Sequence, residues 1–78
     1  MNKIWQAATL VTEYIRLIPK TLAYEGDPRS LIFTSLIIIV TMVSQGADIK
    51  KETIIKNINK AWDNPEYTEF VFEEDVLN

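Results

Sequence analysis

The chain has 78 residues and a mass of 9.0 kDa, which suffices for one domain. It contains no cysteine and no histidine, so disulfides, thiolate or imidazole metal ligands and the usual general base of enzymes are excluded. Eight basic and eleven acidic side chains give a net charge of −3, a balance that disfavours nucleic-acid binding. A core of this size leaves only about 3–5 kcal/mol of net stability, so we expect self-association to supplement it.

The hydropathy pattern predicts a single all-α domain over residues 1–78, a small bundle of three main helices over about 3–18, 28–45 and 49–62. The first helix carries an apolar stripe with alternating steps of four and three residues, typical of a helix that packs on another helix. This stripe comprises Ile4, Ala8, Val11, Ile15, Ile18 and Leu22. Because Pro19 lacks a backbone N–H, we expect a kink there or a helix end near Leu17.

Two glycines mark the boundaries of the second helix. Gly26 is expected to take the left-handed conformation that closes the first helix, and Asp27 to cap the second helix just before Pro28. Gly46 is expected to end the second helix, and Asp48 to cap the third.

The second helix is predicted to be buried on nearly all sides, because residues 30–47 carry no charge. The alternative is a single membrane span, since 18 residues lie at the lower limit of that length. The dense apolar part, Leu31 to Val43, is short, and four basic residues lie on each side of the uncharged stretch, so no charge bias sets an orientation. We therefore expect protein rather than lipid to cover this helix. Gln6 and Glu13 interrupt the first apolar run, so we expect no secretory signal and a cytoplasmic protein.

The third helix is predicted to bury an apolar stripe and to expose a polar face. The stripe comprises Ile54, Ile55, Ile58, Ala61 and Trp62, and the polar face Lys50, Lys51, Glu52, Lys56, Asn57 and Lys60. After Asn64 and Pro65 we expect a short helix with Tyr67, Phe70, Val71 and Leu77 inward. A strand over 68–72 is the alternative, because β-branched and aromatic residues cluster there.

Enzymatic function is not expected, and neither is a cofactor or a metal site. The three serines have no imidazole to accept a proton, and two glycines cannot form a phosphate-binding loop. Glu66, Glu69 and Glu73 could share one helix face and bind a divalent cation weakly, but a solvated acidic face is the favoured interpretation.

Nucleic-acid binding is an alternative function that uses the third helix. The arrangement around Gly46 resembles a helix-turn-helix, in which lysines would contact phosphates and an asparagine would contact an adenine edge. The residues concerned are Lys50, Lys51, Lys56, Asn57 and Lys60. The acidic net charge and the position of Glu52 oppose this alternative.

The favoured hypothesis is a small non-catalytic protein–protein interaction module, a regulator or inhibitor that self-associates, with a dimer preferred. Candidate self-association residues are apolar: Ile4, Val11, Ile15, Leu31, Ile38 and Val43. The acidic segment 63–78 carries six carboxylates and no base, a surface that suits a basic partner, although the same charges would also keep an apolar protein soluble. Candidate partner-binding residues are Asp63, Glu66, Tyr67, Glu69, Phe70, Phe72, Glu73, Glu74 and Asp75.

Overall fold

The computed structural model describes residues 2–72, which form three α-helices: α1 (Lys3–Thr21), α2 (Pro28–Gly46) and α3 (Lys51–Asp63). No strand occurs between residues 2 and 72. The predicted all-α fold with three main helices is therefore confirmed. The chain divides into two compact units, Met1–Val40 and Thr41–Asn78, and the division falls within α2.

The first helix begins at a capped end and continues through its proline. The Asn2 side chain accepts a hydrogen bond from the Trp5 amide at 2.9 Å, which satisfies one of the free donors of the first turn. Of the two expectations at Pro19, a kink or a helix end near Leu17, the second is wrong, because the helix runs through Pro19 to Thr21. A proline removes one helical hydrogen bond, but the Thr21 hydroxyl donates to the Leu17 carbonyl at 2.8 Å and supports this last turn.

Left-handed residues end α1 and α2, and neither of them is a glycine. Ala23 has a φ of 52°, and the amide of the following Tyr24 donates to the Pro19 carbonyl at 2.9 Å. Asp48 has a φ of 56°, and the amide of Ile49 donates to the Ser44 carbonyl at 2.9 Å. Each arrangement is a Schellman motif, in which the residue after the helix turns left-handed and the next amide reaches back over the last turn.

The predicted roles of Gly26 and Asp48 are therefore wrong. No glycine of residues 2–72 has a positive φ, and Ala23 closes α1 instead of Gly26. Gly26 lies against the Tyr24 ring, where an added Cβ would come within 2.6 Å of the phenol oxygen. Asp48 belongs to the end of α2, and α3 begins after Lys50, which makes no side-chain capping bond.

The start of α2 agrees with its prediction. Asp27 accepts a hydrogen bond from the Arg29 amide at 2.9 Å, and Pro28 occupies the first helical position. The Arg29 guanidinium also pairs with the Asp27 carboxylate at 3.0 Å. Asp27 accepts these hydrogen bonds from Arg29, and they lower its pKa below the ordinary value of 3.8. The bonds from the Arg29 side chain have the larger effect and the bond from its backbone amide the smaller one.

In the first unit, α1 packs its apolar stripe against the first part of α2. Ile15 and Ile18 of α1 share a small cavity of about 30 Å³ with Leu31, Ile32, Ser35, Leu36 and Ile39 of α2. The Ser35 hydroxyl in this lining donates to the Leu31 carbonyl at 2.6 Å, so it leaves no free donor in the cavity. The predicted packing of the α1 stripe on another helix is thus confirmed in this region.

In the second unit, residues 64–72 form neither the expected helix nor the alternative strand. Asn64 accepts a hydrogen bond from the Glu66 amide at 2.9 Å and starts a turn, after which the chain is irregular up to Phe72. Of the residues expected to point inward, Tyr67 and Phe70 are half-buried and Val71 is exposed, while Leu77 lies outside the described residues.

The buried face of α3 is polar rather than apolar. Thr53 and Asn57 are only 3% and 5% exposed. Of the predicted apolar stripe, Ile54 is half-buried, whereas Ile55, Ile58, Ala61 and Trp62 are exposed. The sequence interpretation placed Asn57 on the solvated face, and this placement is wrong because its amide is enclosed by the segment that follows α3.

Candidate interaction site

An open groove of about 630 Å³ lies between α1 and α2 in the first unit. It is lined by Ala7, Ala8, Val11, Thr12, Ile15 and Arg16 of α1 and by Ile32, Phe33 and Leu36 of α2. The Thr12 hydroxyl donates to the Ala8 carbonyl at 2.8 Å, so its hydrogen is already used within the helix. Arg16 is the charged residue of the lining. The groove therefore suits an occupant that is mainly apolar.

The predicted self-association residues lie at or near exposed surfaces of the lone chain. Ile4, Val11, Ile38 and Val43 are 51–65% exposed. Ile15 and Leu31 are half-buried and line the same small cavity between α1 and α2. Val11 and Ile15 also line the groove. The first unit therefore brings Val11, Ile15 and Leu31 to one region of contact between α1 and α2.

The α2 helix is apolar and open along its length. Its most apolar window of 18 residues has a mean hydropathy of 1.5, and only 6% of that window is buried. Phe33, Ile37 and Met42 are each 64–68% exposed. Among residues 2–72, α2 is the helix that is long and apolar enough to cross a membrane, by length and composition. Within one chain α2 is thus not buried on nearly all sides, and the expectation that protein covers it requires a second chain.

One amide organises the second unit. The Asn57 Nδ2 donates to the Thr53 carbonyl at 2.8 Å and to the Val71 carbonyl at 3.0 Å. Its Oδ1 accepts from the Tyr67 hydroxyl at 2.8 Å and from the Val71 amide at 2.9 Å. Both donors and both acceptor positions of the side chain are thus occupied within the chain. Burial raises the pKa of the Tyr67 phenol above its ordinary value of 10.0, because it removes water that would stabilise the charged phenolate.

The candidate partner-binding residues fall into an exposed and a half-buried set. Asp63, Glu66, Glu69 and Phe72 are exposed, and Tyr67 and Phe70 are half-buried. The rings of Phe70 and Phe72 lie 4.8 Å apart between centroids. Glu73, Glu74 and Asp75 lie outside the described residues.

Three of these residues line an open cleft of about 520 Å³ in the second unit. Asn59, Lys60, Asp63 and Asn64 come from the end of α3 and the turn that follows, and Tyr67 and Glu69 come from the irregular segment. Carboxylates at positions 63 and 69 outnumber the single ammonium group of Lys60. The cleft is lined mainly by polar side chains with one carboxylate in excess, in contrast to the apolar groove of the first unit.

The residues that the nucleic-acid alternative would use differ in their exposure to solvent. Lys50, Lys51, Lys56 and Lys60 are exposed, as phosphate contacts require. Asn57 is buried, and its amide is fully bonded within the chain. It has no free donor or acceptor for a base edge in this arrangement.

No cluster of three or more aspartate or glutamate residues that could hold a metal ion occurs within the described part of the chain. The carboxylates of Glu66 and Glu69 are exposed on irregular backbone, so the single helix face that would have aligned them with Glu73 does not form between residues 64 and 72.

Sequence reasoning missed the structural role of Thr53 and Asn57. The available signal was their spacing, since residues four apart on a helix share one face. A second signal was the nearby Tyr67, an aromatic residue whose hydroxyl seeks a hydrogen-bond partner when it is partly buried.

Comparison with protein-family models, with curated protein sequences and with solved structures gives no significant match.

Proposed function

We propose that the chain is a small, non-catalytic protein–protein interaction module that self-associates through the exposed apolar faces of its helices. The observation that supports this most directly is the solvent exposure of its apolar residues. Apart from Pro19, no apolar residue between positions 2 and 72 is buried. A folded chain in water is stabilised chiefly by apolar burial, so a surface of this kind requires a cover.

The distribution of the exposed residues favours protein over lipid as that cover. On α1, Leu10 and Leu17 are 64% and 61% exposed, and on α3 Trp62 is 85% exposed. Both helices also carry charged residues, among them Glu13 between Leu10 and Leu17 on one face of α1, which the hydrocarbon layer of a membrane excludes at high cost. Helices with one apolar and one charged face are typical of packing on another protein surface.

A second copy of the chain is the occupant that we propose. Among the described residues, 21 large hydrophobic side chains are at least 37% exposed. A stable interface needs about 20–30 residues and about 800 Å² from each partner, and obligate homodimers resemble a core cut in half. A chain that lacks a core of its own needs a partner whenever it is folded, and its own copy is always present at equal concentration.

The experiment compares two variants of α1, one with a new charge in the groove and one with the same charge outside it. Val11→Arg introduces a cation into the groove, whereas Glu13→Arg introduces the same cation at an exposed polar position. We expect Val11→Arg to reduce the mass measured by light scattering towards 9.0 kDa, and Glu13→Arg to leave the oligomer intact. Equal effects of both variants, or of neither, would contradict the proposed interface.

We further propose that the acidic cleft of the second unit binds a basic segment of a partner protein. Asp63 and Glu69 supply its carboxylates, and electrostatic complementarity of this kind accelerates and orients binding. The probe is a fluorescent peptide of ten lysines. We expect binding that falls when Asp63 and Glu69 are changed together to Asn and Gln, but not when Glu13→Gln removes a carboxylate from α1. Binding that is insensitive to both changes would refute this role of the cleft.

A single membrane span through α2 is the second candidate function. It is favoured by the 6% burial of the apolar window and by a length of 19 residues, about 28 Å at ~1.5 Å per residue, close to the ~30 Å of a hydrocarbon core. Flotation of the full chain with phosphatidylcholine vesicles tests it. A chain that floats with vesicles and resists alkaline extraction would establish this candidate and displace self-association in water.

A further inference from the structure

The segment after α3 is hydrogen-bonded to that helix through the side chain of Asn57. Thr68 and Glu69 of the segment are exposed, Val71 and Phe72 are 37% and 39% exposed, and Tyr67 and Phe70 are half-buried. The rings of Phe70 and Phe72 are tilted against each other at 57° within the segment. None of these side chains is fully buried, so apolar contact alone does not fix the position of the segment, and the hydrogen bonds of one amide add a specific attachment.

The geometry of these bonds resembles the pairing of two strands. Asn57 Oδ1 accepts from the Val71 amide at 2.9 Å, and Nδ2 donates to the Val71 carbonyl at 3.0 Å. The side-chain amide thus satisfies both backbone groups of one extended residue, as a peptide group of an adjacent strand would. The Tyr67 hydroxyl adds a third bond to the segment, at 2.8 Å. Only the bond to the Thr53 carbonyl stays within α3.

From these contacts we infer that Asn57 is a latch, a single buried residue that sets whether residues 67–71 are docked on α3 or released. The inference also bears on the cleft. Tyr67 and Glu69 form one side of the cleft, whereas Asn59, Lys60 and Asp63 form the other side on α3. Release of the segment separates the two sides, so Asn57 is a positioning residue for the cleft that does not line it, whereas Tyr67 both lines the cleft and holds the segment. This last step rests on the proposed binding of a basic partner.

The choice of asparagine follows from the chemistry of the site. The Val71 carbonyl needs a donor, and both the Tyr67 hydroxyl and the Val71 amide need an acceptor, while the Thr53 carbonyl takes a second donor beside its helical bond. An amide supplies two donors and one oxygen with two lone pairs. Aspartate has the same shape but no donor, and alanine has neither group. The segment should consequently be released when Asn57 is replaced by either residue.

Hydrogen exchange of the Val71 amide in the full chain tests the latch without any partner. We expect Asn57→Ala to accelerate this exchange at least about tenfold, because the amide loses its acceptor, while helix content measured by circular dichroism is retained. Lys51→Ala, at an exposed position of α3 outside the cleft lining, is the control and should leave the exchange unchanged. Unchanged exchange in Asn57→Ala would overturn the inference.

Tyr67→Phe keeps the test decisive should Asn57→Ala fail to fold. It removes one hydroxyl and leaves the aromatic ring, so the Val71 amide retains its acceptor but the segment loses one bond. We expect an intermediate acceleration, about threefold. The same exchange rate as in the original chain would again overturn the latch.

Binding of the ten-lysine peptide then separates the two proposals. Weaker binding in Asn57→Ala, by about tenfold, together with faster exchange supports both the latch and the cleft. Faster exchange with unchanged peptide binding supports the latch and overturns its role in positioning the cleft.

Discussion

The two units of the chain are stabilised by opposite kinds of contact. In the first unit, α1 and α2 meet through apolar side chains, and the groove between them is open. In the second unit, the buried residues Ser44, Thr53 and Asn57 are all polar. No buried side-chain nitrogen or oxygen atom within residues 2–72 lacks a hydrogen-bond partner.

This difference teaches how each unit depends on its surroundings. Any cover that removes water from an apolar face stabilises it. The first unit therefore needs a partner, but its apolar face specifies the shape of that partner only loosely. A satisfied polar network is sensitive to the loss of any one member, because each loss leaves a buried group unpaired. The buried polar groups of the second unit are therefore satisfied within one chain and are sensitive to single substitutions.

The largest expected effect is a loss of self-association through the first unit. Ile38→Asp places a carboxylate on a face of α2 that we propose is covered by a second copy, where an unpaired charge costs several kcal/mol. We expect self-association to weaken at least about a hundredfold, which corresponds to about 2.7 kcal/mol. Dilution with light scattering measures this change.

The control for Ile38→Asp is Ser30→Asp, which adds the same charge in the first turn of α2. A carboxylate is favourable at a helix N-terminus, so we expect association to be retained. An Ile38→Asp chain that associates as strongly as the original would remove this face from the interface.

A smaller effect is expected for the second unit. Asn57→Leu keeps the approximate volume but removes four side-chain hydrogen bonds, and leaves the Val71 amide and carbonyl and the Tyr67 hydroxyl to water or to no partner. We expect the free energy of unfolding to fall by about 2–3 kcal/mol. Urea denaturation measures it, with Asn59→Leu as the exposed control. A loss as large in the control would show that the effect is not specific to the amide.

The helix ends provide a stabilising prediction of about 1 kcal/mol. Ala23 has a positive φ, which costs an L-residue with a Cβ about 1 kcal/mol relative to glycine. Ala23→Gly should therefore raise the free energy of unfolding. Ala7→Gly, inside α1, should lower it by a similar amount. The result would count against the observed end of α1 if both substitutions destabilised the chain equally.

Alkaline titration distinguishes the units further. Burial raises the folded pKa of Tyr67 above its ordinary value of 10.0, so the neutral phenol contributes stability that is complete below pH 10. That contribution is lost as the pH rises through the folded pKa, because the phenolate cannot donate to Asn57. We expect the Val71 amide to lose protection in this range, as measured by exchange and corrected for base catalysis, and Tyr67→Phe to abolish the pH dependence.

The smallest expected effect lies in the first unit, at acid pH. The Arg29 side chain and backbone lower the folded pKa of Asp27 below 3.8. The ionised carboxylate therefore contributes stability that is present above pH 3.8 and is lost as the pH falls through the folded pKa. We expect a slight change in the midpoint of thermal unfolding that Asp27→Asn removes. An unaltered acid dependence in that variant would assign the change to other carboxylates.

The sequence predicts the parts of the fold that depend on local signals. Asp27 and Pro28 start α2 as predicted, because a cap and a ring-constrained φ act within a few positions, and Gly46 is the last helical residue. The helix ends at Ala23 and Asp48 were missed because Asp48 was expected to cap α3 and because alanine does not favour a left-handed conformation by itself. The Schellman bonds to Pro19 and Ser44 impose it.

The polar centre of the second unit could not be predicted for a different reason. Asn57 and Val71 are separated by 14 positions in the sequence. A hydropathy pattern predicts that an asparagine beside Lys56 is exposed to solvent. Its burial depends on a chain segment that has no regular structure and hence no periodic signal. The apolar stripe of α1 was predictable because its periodicity is strong, but the residues do not identify what covers the open side.

Sedimentation equilibrium of the full chain in detergent-free buffer tests the central claim most directly. If copies of the chain cover one another's apolar faces, the measured mass will be a whole multiple of 9.0 kDa, with a dimer preferred, and will decrease towards one chain in Val11→Arg and Ile38→Asp. A folded, soluble species of 9.0 kDa at all concentrations would contradict the claim.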